Sequence, residues 1–408
     1  MEYYAKSKKV QFTSERINEI KKNMKNIEEC LKENLTETDV EILNSSITDI
    51  AEKTEEKQKT LKEHHKDIVT CAEMFFLEYG EYFTEKEKKL VVEACRIHDL
   101  GKVNLVFQAM ICPKLAEKFH IDVRKTQQIP HGFLSAVTIS LDEFDDLSEL
   151  FSDKDFGPFI TAVYYHHDRE DHYNSPAIRK YAEKYYMKQI EEYLNRKIRK
   201  LNCSNLDDLL FRNNVYTGKY IPDSNAWKEY LLIKGLLNKF DYTVSAGYEN
   251  AESAIDLHEK KLVKNIEKFL NGKELRPAQK FMKMNRDKNL IVIAPTGSGK
   301  TEASLLWMNG EKSFYTLPLK VSSNAIYLRI KENYEYKDVA LLHSDAMAVY
   351  LREYNGNEDI GEKYERSKML SQPLTVCTVD QLFRFVYRAL GTEIFAATLK
   401  LSLIHISE

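Results

Sequence analysis

The sequence predicts a multidomain protein: an all-α domain suited to holding metal, followed by a partial α/β domain built around a phosphate-binding loop. Three observations carry that prediction. His64, His98-Asp99, His131, His166-His167 and Asp241 recur through the first two-thirds of the chain, on or beside stretches of helical apolar spacing. Ala294-Pro295-Thr296-Gly297-Ser298-Gly299-Lys300-Thr301 then joins a short apolar run to a helical one. Beyond it, apolar runs of strand length alternate with helical stretches, the pattern of a parallel sheet with helices on both faces.

Composition sets the outer limits. A chain of 408 residues, 43 % hydrophobic and 30 % charged, has room for two or three domains with real cores. No apolar run approaches the roughly 18 residues that cross a bilayer. The start, Met1-Glu2-Tyr3-Tyr4-Ala5-Lys6, lacks an export signal's apolar stretch. The expectation is a cytoplasmic protein with no membrane partner. Cys30, Cys71, Cys95, Cys112, Cys203 and Cys377 include no Cys-x-x-Cys, which fits reduced thiols better than a disulfide framework or zinc knuckle. A net charge of −3 rules out a global nucleic-acid footprint, so any such surface is local.

Residues 1–57 read as a helical extension, rich in Lys, Glu and Asn around Ile17, Ile20, Ile27 and Leu31. Residues 58–260 form the metal domain. Leu61, Ile68, Ala72 and Phe75 fall on one helical stripe, which His64 or His65 completes. Val91, Val92, Ala94, Cys95 and Ile97 lead into His98-Asp99-Leu100-Gly101-Lys102, where Gly101 can end or bend the helix. Apolar residues 133–137 continue from His131, and 159–164 lead into His166. Residues 227–240 form a last amphipathic helix, with Asp241 at its C-terminal end. Residues 170–222, rich in Tyr and Lys, look like a peripheral insertion. Residues 261–408 make the partial α/β domain, with strands expected at Asn289-Leu290-Ile291-Val292-Ile293, at 314–317 and at 374–378.

Imidazoles and carboxylates in this number suit two divalent ions bridged by one carboxylate. Such a pair, roughly 3.5–4 Å apart, polarises a phosphodiester and makes hydroxide available near neutral pH. His65 and Asp168 sit beside the set as decoys. Lys102 reads either as an ammonium for a phosphate or as a solvated helix-end cation. In the Gly-rich turn, backbone N–H groups of Thr296, Gly297, Ser298 and Gly299 point at phosphates. Lys300 reaches the β- and γ-phosphates of ATP, and Thr301 ligates Mg²⁺.

In this order, with His-Asp-Leu-Gly-Lys and a closing Asp, the residues resemble the HD-type metal nucleases. An HD nuclease ahead of a superfamily 2 helicase resembles the signature nuclease-helicase of type I CRISPR interference. Several segments carry the helicase half of the likeness. Ala294 replaces the first glycine of the phosphate loop, as such helicases commonly allow, and Arg276-Pro277-Ala278-Gln279 resembles their adenine-reading segment. Residues 317–325 look like the strand-contacting motif, and Leu342-His343-Ser344-Asp345-Ala346 and Thr378-Val379-Asp380-Gln381-Leu382 like the next two.

The resemblance covers about residues 58–398. It implies that His64, His98, Asp99 and Asp241 surround one ion, and that Asp99 bridges to a second held by His131, His166 and His167. His98, Asp99 and Lys102 would be the catalytic residues, and His64 suits the family spacing better than His65. The ions would be Fe, Mn, Co or Ni. The implied reaction is cutting of single-stranded DNA, fed by ATP-driven 3′-to-5′ translocation and presented by an RNA-guided surveillance complex. One departure is large. Where the family runs into a strand ending in an acidic Asp-Glu motif, Ala397-Thr398-Leu399 is followed by a nine-residue end, 400–408, that does not read as that strand. The expectation is a truncated helicase domain, weak nucleotide binding and no unwinding by this chain alone. Two other readings are an HD-type nucleotide phosphohydrolase and a non-catalytic fragment docking on the surveillance complex.

Overall fold

The structure, a computed structural model, describes residues 3–5, 10–11, 52–53, 59–139, 156–167, 175–198, 201, 225–253, 259–353, 360–387 and 391–406. Most of the expected N-terminal extension lies outside the described residues, and so does all of 202–222. Two-residue strands β1 (Val10–Gln11) and β2 (Glu52–Lys53) stand near its ends. The described chain divides into two compact units. One takes residues up to Lys9, Lys53–Ala251 and Leu390–Ala397; the other takes Val10–Glu52, Glu252–Ala389 and the residues from Thr398 on.

The first unit is all helical apart from residues at its start, and its first two helices begin where the sequence supplies a cap. Thr60 and Glu63 form a reciprocal capping box that opens α1 (Leu61–Tyr79), and Thr84 with Glu87 does the same for α2 (Glu85–Ile97). Along α1 the buried positions are Leu61, His64, Ile68, Cys71, Ala72, Phe75 and Tyr79, a stripe of three- and four-residue steps. Leu100–Val103 is a 3₁₀ turn, followed by α3 (Leu105–Ile111), α4 (Pro113–Lys118), α5 (His131–Thr138) and α6 (Phe156–Tyr164). Both α5 and α6 are apolar almost all round, as helices inside a core must be. Phe133 stacks on Tyr164 with ring centroids 4.0 Å apart.

Helices α7 (Ser175–Tyr185) and α8 (Met187–Leu194) correct the reading of 170–222 as peripheral. Ile178, Ala182, Tyr186 and Ile190 are fully buried, and the Tyr186 hydroxyl meets Thr138 Oγ1 at 2.7 Å. Tyr181 and Tyr186, two of the tyrosines that make this stretch look polar, are core residues with bonded hydroxyls. Helix α9 (Asn225–Ala246) runs through the middle, packing against α1, α2 and α6. It continues past Asp241, so that residue lies inside the helix and not at its end.

The second unit contains α10 (Lys261–Leu270), α11 (Pro277–Met284), α12 (Lys300–Met308), α13 (Lys320–Glu332), α14 (Ala346–Glu353), α15 (Ile360–Lys368) and α16 (Val379–Val386). Its sheet has strands β3 (Ser313–Leu317), β4 (Val339–Leu342), β5 (Leu374–Thr378) and β6 (Leu403–Ile406), in the order β4-β5-β3-β6. All pairings are parallel, as strand–helix alternation requires. A last helix, α17 (Phe395–Lys400), precedes β6. Strands β3, β4 and β5 are buried throughout, in a core with Leu262, Leu305, Tyr327 and Ile330.

Two strand expectations fail here. Residues 289–293 form no strand: Ile291 and Ile293 are 94 % and 96 % exposed, while Leu290 and Val292 pack against the core. The side chains alternate as in a strand, but the backbone lies beside no partner among the described residues, and a strand exists only by pairing. Conversely, the segment 400–408 does contain a strand. Ser313 pairs with Leu403 and Thr316 with Ile406, so the free edge of β3 supplies what the local pattern did not announce.

Candidate metal centre and phosphate loop

Every metal-type residue singled out in the sequence, apart from the two decoys, arrives at one place in the first unit. His64 comes from the buried stripe of α1, and His98 ends α2. Asp99 sits at the start of the 3₁₀ turn, and His131 opens α5. His166 and His167 follow α6, and α9 carries Asp241. His64, His98, Asp99 and Asp241 form one group of converging ligand atoms; Asp99, His131, His166 and His167 form another. His65 is one step off the stripe, and its Nδ1 meets the Tyr193 hydroxyl at 3.2 Å. Asp168 lies outside the described residues.

Asp99 belongs to both groups because its two oxygens face different ways. Oδ2 lies 3.3 Å from His64 Nε2 and 3.4 Å from His98 Nε2. Oδ1 lies 3.2 Å from His131 Nε2 and 3.6 Å from His166 Nε2. Asp241 spans the groups as well, with Oδ1 at 3.1 Å from His64 and Oδ2 at 3.3 Å from His167. The first group is fully buried, whereas the side chains of His131 and His167 keep 14 % and 38 % of their surface exposed. The second group is therefore the outer one.

The tautomers decide whether this cluster suits a cation. His98 Nδ1 is 3.0 Å from the Cys95 carbonyl, and His166 Nδ1 is 2.7 Å from that of Val163. A carbonyl only accepts, so both Nδ1 atoms carry the proton and both Nε2 atoms present lone pairs inward. His98 Nε2 thus aims a lone pair at an anionic carboxylate, and His166 Nε2 aims one at His131 Nε2, 3.1 Å away. The His98 Nε2 and Asp99 Oδ1 atoms are buried without a hydrogen-bond donor. Electron pairs gathered this way repel unless a positive charge lies among them, and backbone-oriented imidazoles are how proteins prepare metal ligands. The donor set fits divalent metal.

Electrostatics agree with that fit. Burial pushes the His131 imidazole down to about 4, so it is neutral and able to ligate at pH 7. Burial lowers His166 as well. Burial also works against a charged His64, but the Asp241 and Asp99 carboxylates outweigh it and hold its pKa above the usual value. Burial opposes the ionised form of Asp99, yet the Lys102 ammonium beside it helps keep that carboxyl well below the ordinary range.

Residues that the sequence did not single out hold the cluster in shape. The Gly101 N–H donates to Ser135 Oγ at 2.8 Å, and the Ser135 hydroxyl donates to the His131 carbonyl at 3.0 Å. Asn104 Nδ2 donates to the Gly101 carbonyl at 2.6 Å, and its Oδ1 accepts from the Tyr181 hydroxyl at 2.9 Å. Gly101 is needed for close approach and not as a helix stop: a Cβ there would lie 2.0 Å from the His131 carbonyl oxygen. Lys102 is no solvated cation. It is buried and donates to Asp99 Oδ2 at 2.5 Å. Ser135 and Tyr181 lie far in sequence from the Gly101 and Asn104 they meet, so no local pattern announces them.

In the second unit the phosphate loop turns at Gly297 and Gly299, with φ of +76° and +84°, values that glycine alone adopts without strain. Lys300 and Thr301 open α12 directly after it. The expected adenine-reading pair reaches this loop: Arg276 bonds the Gly297 carbonyl, and Gln279 Nε2 donates to the Gly299 carbonyl at 3.3 Å. Gln279 Oε1 also accepts from Arg276 N at 2.9 Å, so its amide braces the loop. Lys300 Nζ donates to the Ala294 carbonyl at 2.8 Å.

Comparison with known proteins agrees with both units. A family model described as the HD domain of Cas3 matches residues 51–226, and one for DEAD/DEAH box helicases matches 277–399. The chain thus carries an HD domain of the Cas3 kind followed by a DEAD/DEAH-type helicase domain. A domain of the first kind implies divalent metal, and one of the second implies nucleotide. Asp241, expected from the sequence, lies beyond the matched HD span, and the geometry brings it to the cluster.

A CRISPR-associated nuclease/helicase Cas3 of Methanothermobacter thermautotrophicus is 24 % identical over 81 % of this chain and 46 % of its own length. A Methanocaldococcus jannaschii protein bearing that name provisionally is 30 % identical over 27 % of this chain and 17 % of its own. Crystal structures of T. fusca Cas3, free and with AMPPNP, superpose with TM-scores of 0.53 and 0.52 at 17 % and 16 % identity. Each covers 87 % of this chain and 45 % of the other, and shows a shared fold. The chain thus spans less than half the length of the relatives it matches. Among the described residues no helix is long and apolar enough to cross a membrane.

Proposed function

We propose that the first unit is a metal-dependent nuclease that cuts single-stranded DNA, joined to an ATP-binding helicase module, and that it acts in type I CRISPR interference. The observation that carries this is the Asp99 carboxylate, whose opposite oxygens each face a separate pair of imidazoles. His64, His98, Asp99 and Asp241 would hold one divalent ion, and Asp99, His131, His166 and His167 the other. Such ions supply Lewis acidity to a phosphate and lower the pKa of a shared water.

The residues do the rest. Cys95 and Val163 carbonyls fix the imidazoles in the ligating tautomer, and Ser135 and Asn104 hold the turn that aims Asp99. The partly exposed His131 and His167 mark the side from which a phosphodiester arrives. In the helicase unit, backbone groups of Thr296 to Gly299 would cradle phosphates, with Lys300 and Thr301 at the helix start and Arg276 and Gln279 behind the loop. The names of the relatives support a CRISPR role, and an RNA-guided surveillance complex is the partner that role entails.

The test is incubation of the purified chain with Mn²⁺ or Ni²⁺ and circular single-stranded DNA. Nicking and degradation are expected, and Asp99→Asn should lower the rate by ~100-fold or more, at least what loss of a mere outer partner costs a metal site. Equal cutting by the two proteins, or preference for mononucleotides over the polymer, would defeat the proposal.

A further inference from the structure

Asp99 Oδ2 faces two kinds of cation site at once. The Nε2 atoms of His64 and His98 lie 3.3 and 3.4 Å from it, and the same oxygen accepts from Lys102 Nζ at 2.5 Å. The lysine is firmly seated. Its side chain is 5 % exposed, and its ammonium stands 5.9 Å from the centroid of the Phe107 ring. Its backbone N–H bonds the Asp99 carbonyl at 2.9 Å. Its own carbonyl accepts from Gln108 Nε2 at 2.8 Å, and the fully buried Gln108 amide also grips the backbone N–H and carbonyl of Tyr4. An ammonium and a carboxylate buried together hold each other strongly, because neither finds water when they part.

We propose that Lys102 competes with the inner divalent ion for Asp99 Oδ2, so that the chain's own lysine sets how tightly that ion is held. The proposal rests on reading His64, His98, Asp99 and Asp241 as a divalent metal site. An ion ligated by those four residues needs the oxygen that Lys102 already occupies. Two carboxylates give the group a formal charge of −2, and the ammonium cuts it to −1. Removing Lys102 therefore frees a ligand atom and strengthens the field that draws a divalent cation. The outer group is less exposed to this effect, since it meets Asp99 through Oδ1, the far oxygen from the lysine. Lys102 thereby acts as a selective weakener of the inner site and leaves the outer one nearly alone.

The test is calorimetric titration of Mn²⁺ into chelator-stripped full chain, with elemental analysis of bound metal, for wild type, Lys102→Met and Lys102→Arg. Circular dichroism checks that each is folded. In the methionine variant one of the two equivalents, that of the inner site, should bind at least about ten-fold more tightly, while arginine stays near wild type. The other equivalent should shift less. Lys102→Gln gives the same comparison if the methionine chain does not fold. Neither equivalent binding more tightly in the neutral variants overturns the proposal. If wild type takes up no Mn²⁺ at all, it is the metal reading itself that fails, and the two failures are thus distinct.

Discussion

Asp99 and Gly101 show what a single residue settles in this protein. Five histidines and two aspartates were legible as a set because each follows or interrupts an apolar helical stripe. Helical spacing left His64 or His65 open and family spacing favoured His64; in the structure His64, three residues from Leu61 and four from Ile68, lies on the buried face of α1. The role of Gly101 was not legible. Sequence suggested a helix stop, whereas the structure places it against the backbone of His131, thirty residues away in the chain. Because backbone atoms crowd the missing Cβ, Gly101→Ala should cost at least the ~1–3 kcal/mol of an overpacked core and separate His131 from Asp99. Urea unfolding measures the first effect. An unchanged midpoint would mean that this close approach is not real.

At the scale of elements, helices were easier to read than strands. Apolar steps lie within a helix's own stretch of sequence, with capping residues at its start in α1 and α2, so α1, α2 and α9 announce themselves. A strand depends on its neighbour, and that is why 289–293 was read as a strand while β6 was missed. Packing between elements is equally invisible in sequence. Lys234 on α9 donates to Glu393 at 2.9 Å, both nearly fully buried. Lys234→Met alone should destabilise the chain by ~3–5 kcal/mol, because it leaves a buried carboxylate unmatched. Adding Glu393→Leu should recover most of that loss in the same denaturation assay; a double variant as weak as the single one would refute the pairing.

His343, which follows β4, ties that strand to α13 by donating from Nε2 to Asn324 Oδ1 at 2.6 Å, and its Nδ1 accepts from Asp345 N at 3.1 Å. Burial pushes its pKa down to about 4, with Lys320 adding to the fall and Asp345 and Asp380 opposing it. The unfolded chain therefore takes up this proton first. The contribution is whole above about pH 6.5 and shrinks as pH falls toward 4. Urea midpoints at pH 7 and pH 5 should differ more for wild type than for His343→Gln, and equal differences would count against it.

Over the whole molecule, the order of a metal domain and then a phosphate-loop domain was plain from sequence, because each half has its own motifs. The partition is less simple than a cut at residue 260. Residues 390–397 belong with the first unit although helicase motifs precede them; Glu393 pairs with Lys234, and Gly235 packs closely on the Glu393 carbonyl and Ala396. No local pattern could reveal a return of that kind, since its ion pair spans 159 residues of sequence. What unifies the account is the proposed dinuclear centre, whose candidate ligands come from α1, α2, α5, α6 and α9.

Anomalous diffraction from crystals grown with Mn²⁺ tests it most directly. Two peaks roughly 3.5–4 Å apart are predicted, on either side of the Asp99 carboxylate. One should fall among His64, His98 and Asp241, and the other among His131, His166 and His167. Absence of any peak at Asp99, or metal bound only elsewhere on the chain, would contradict the account.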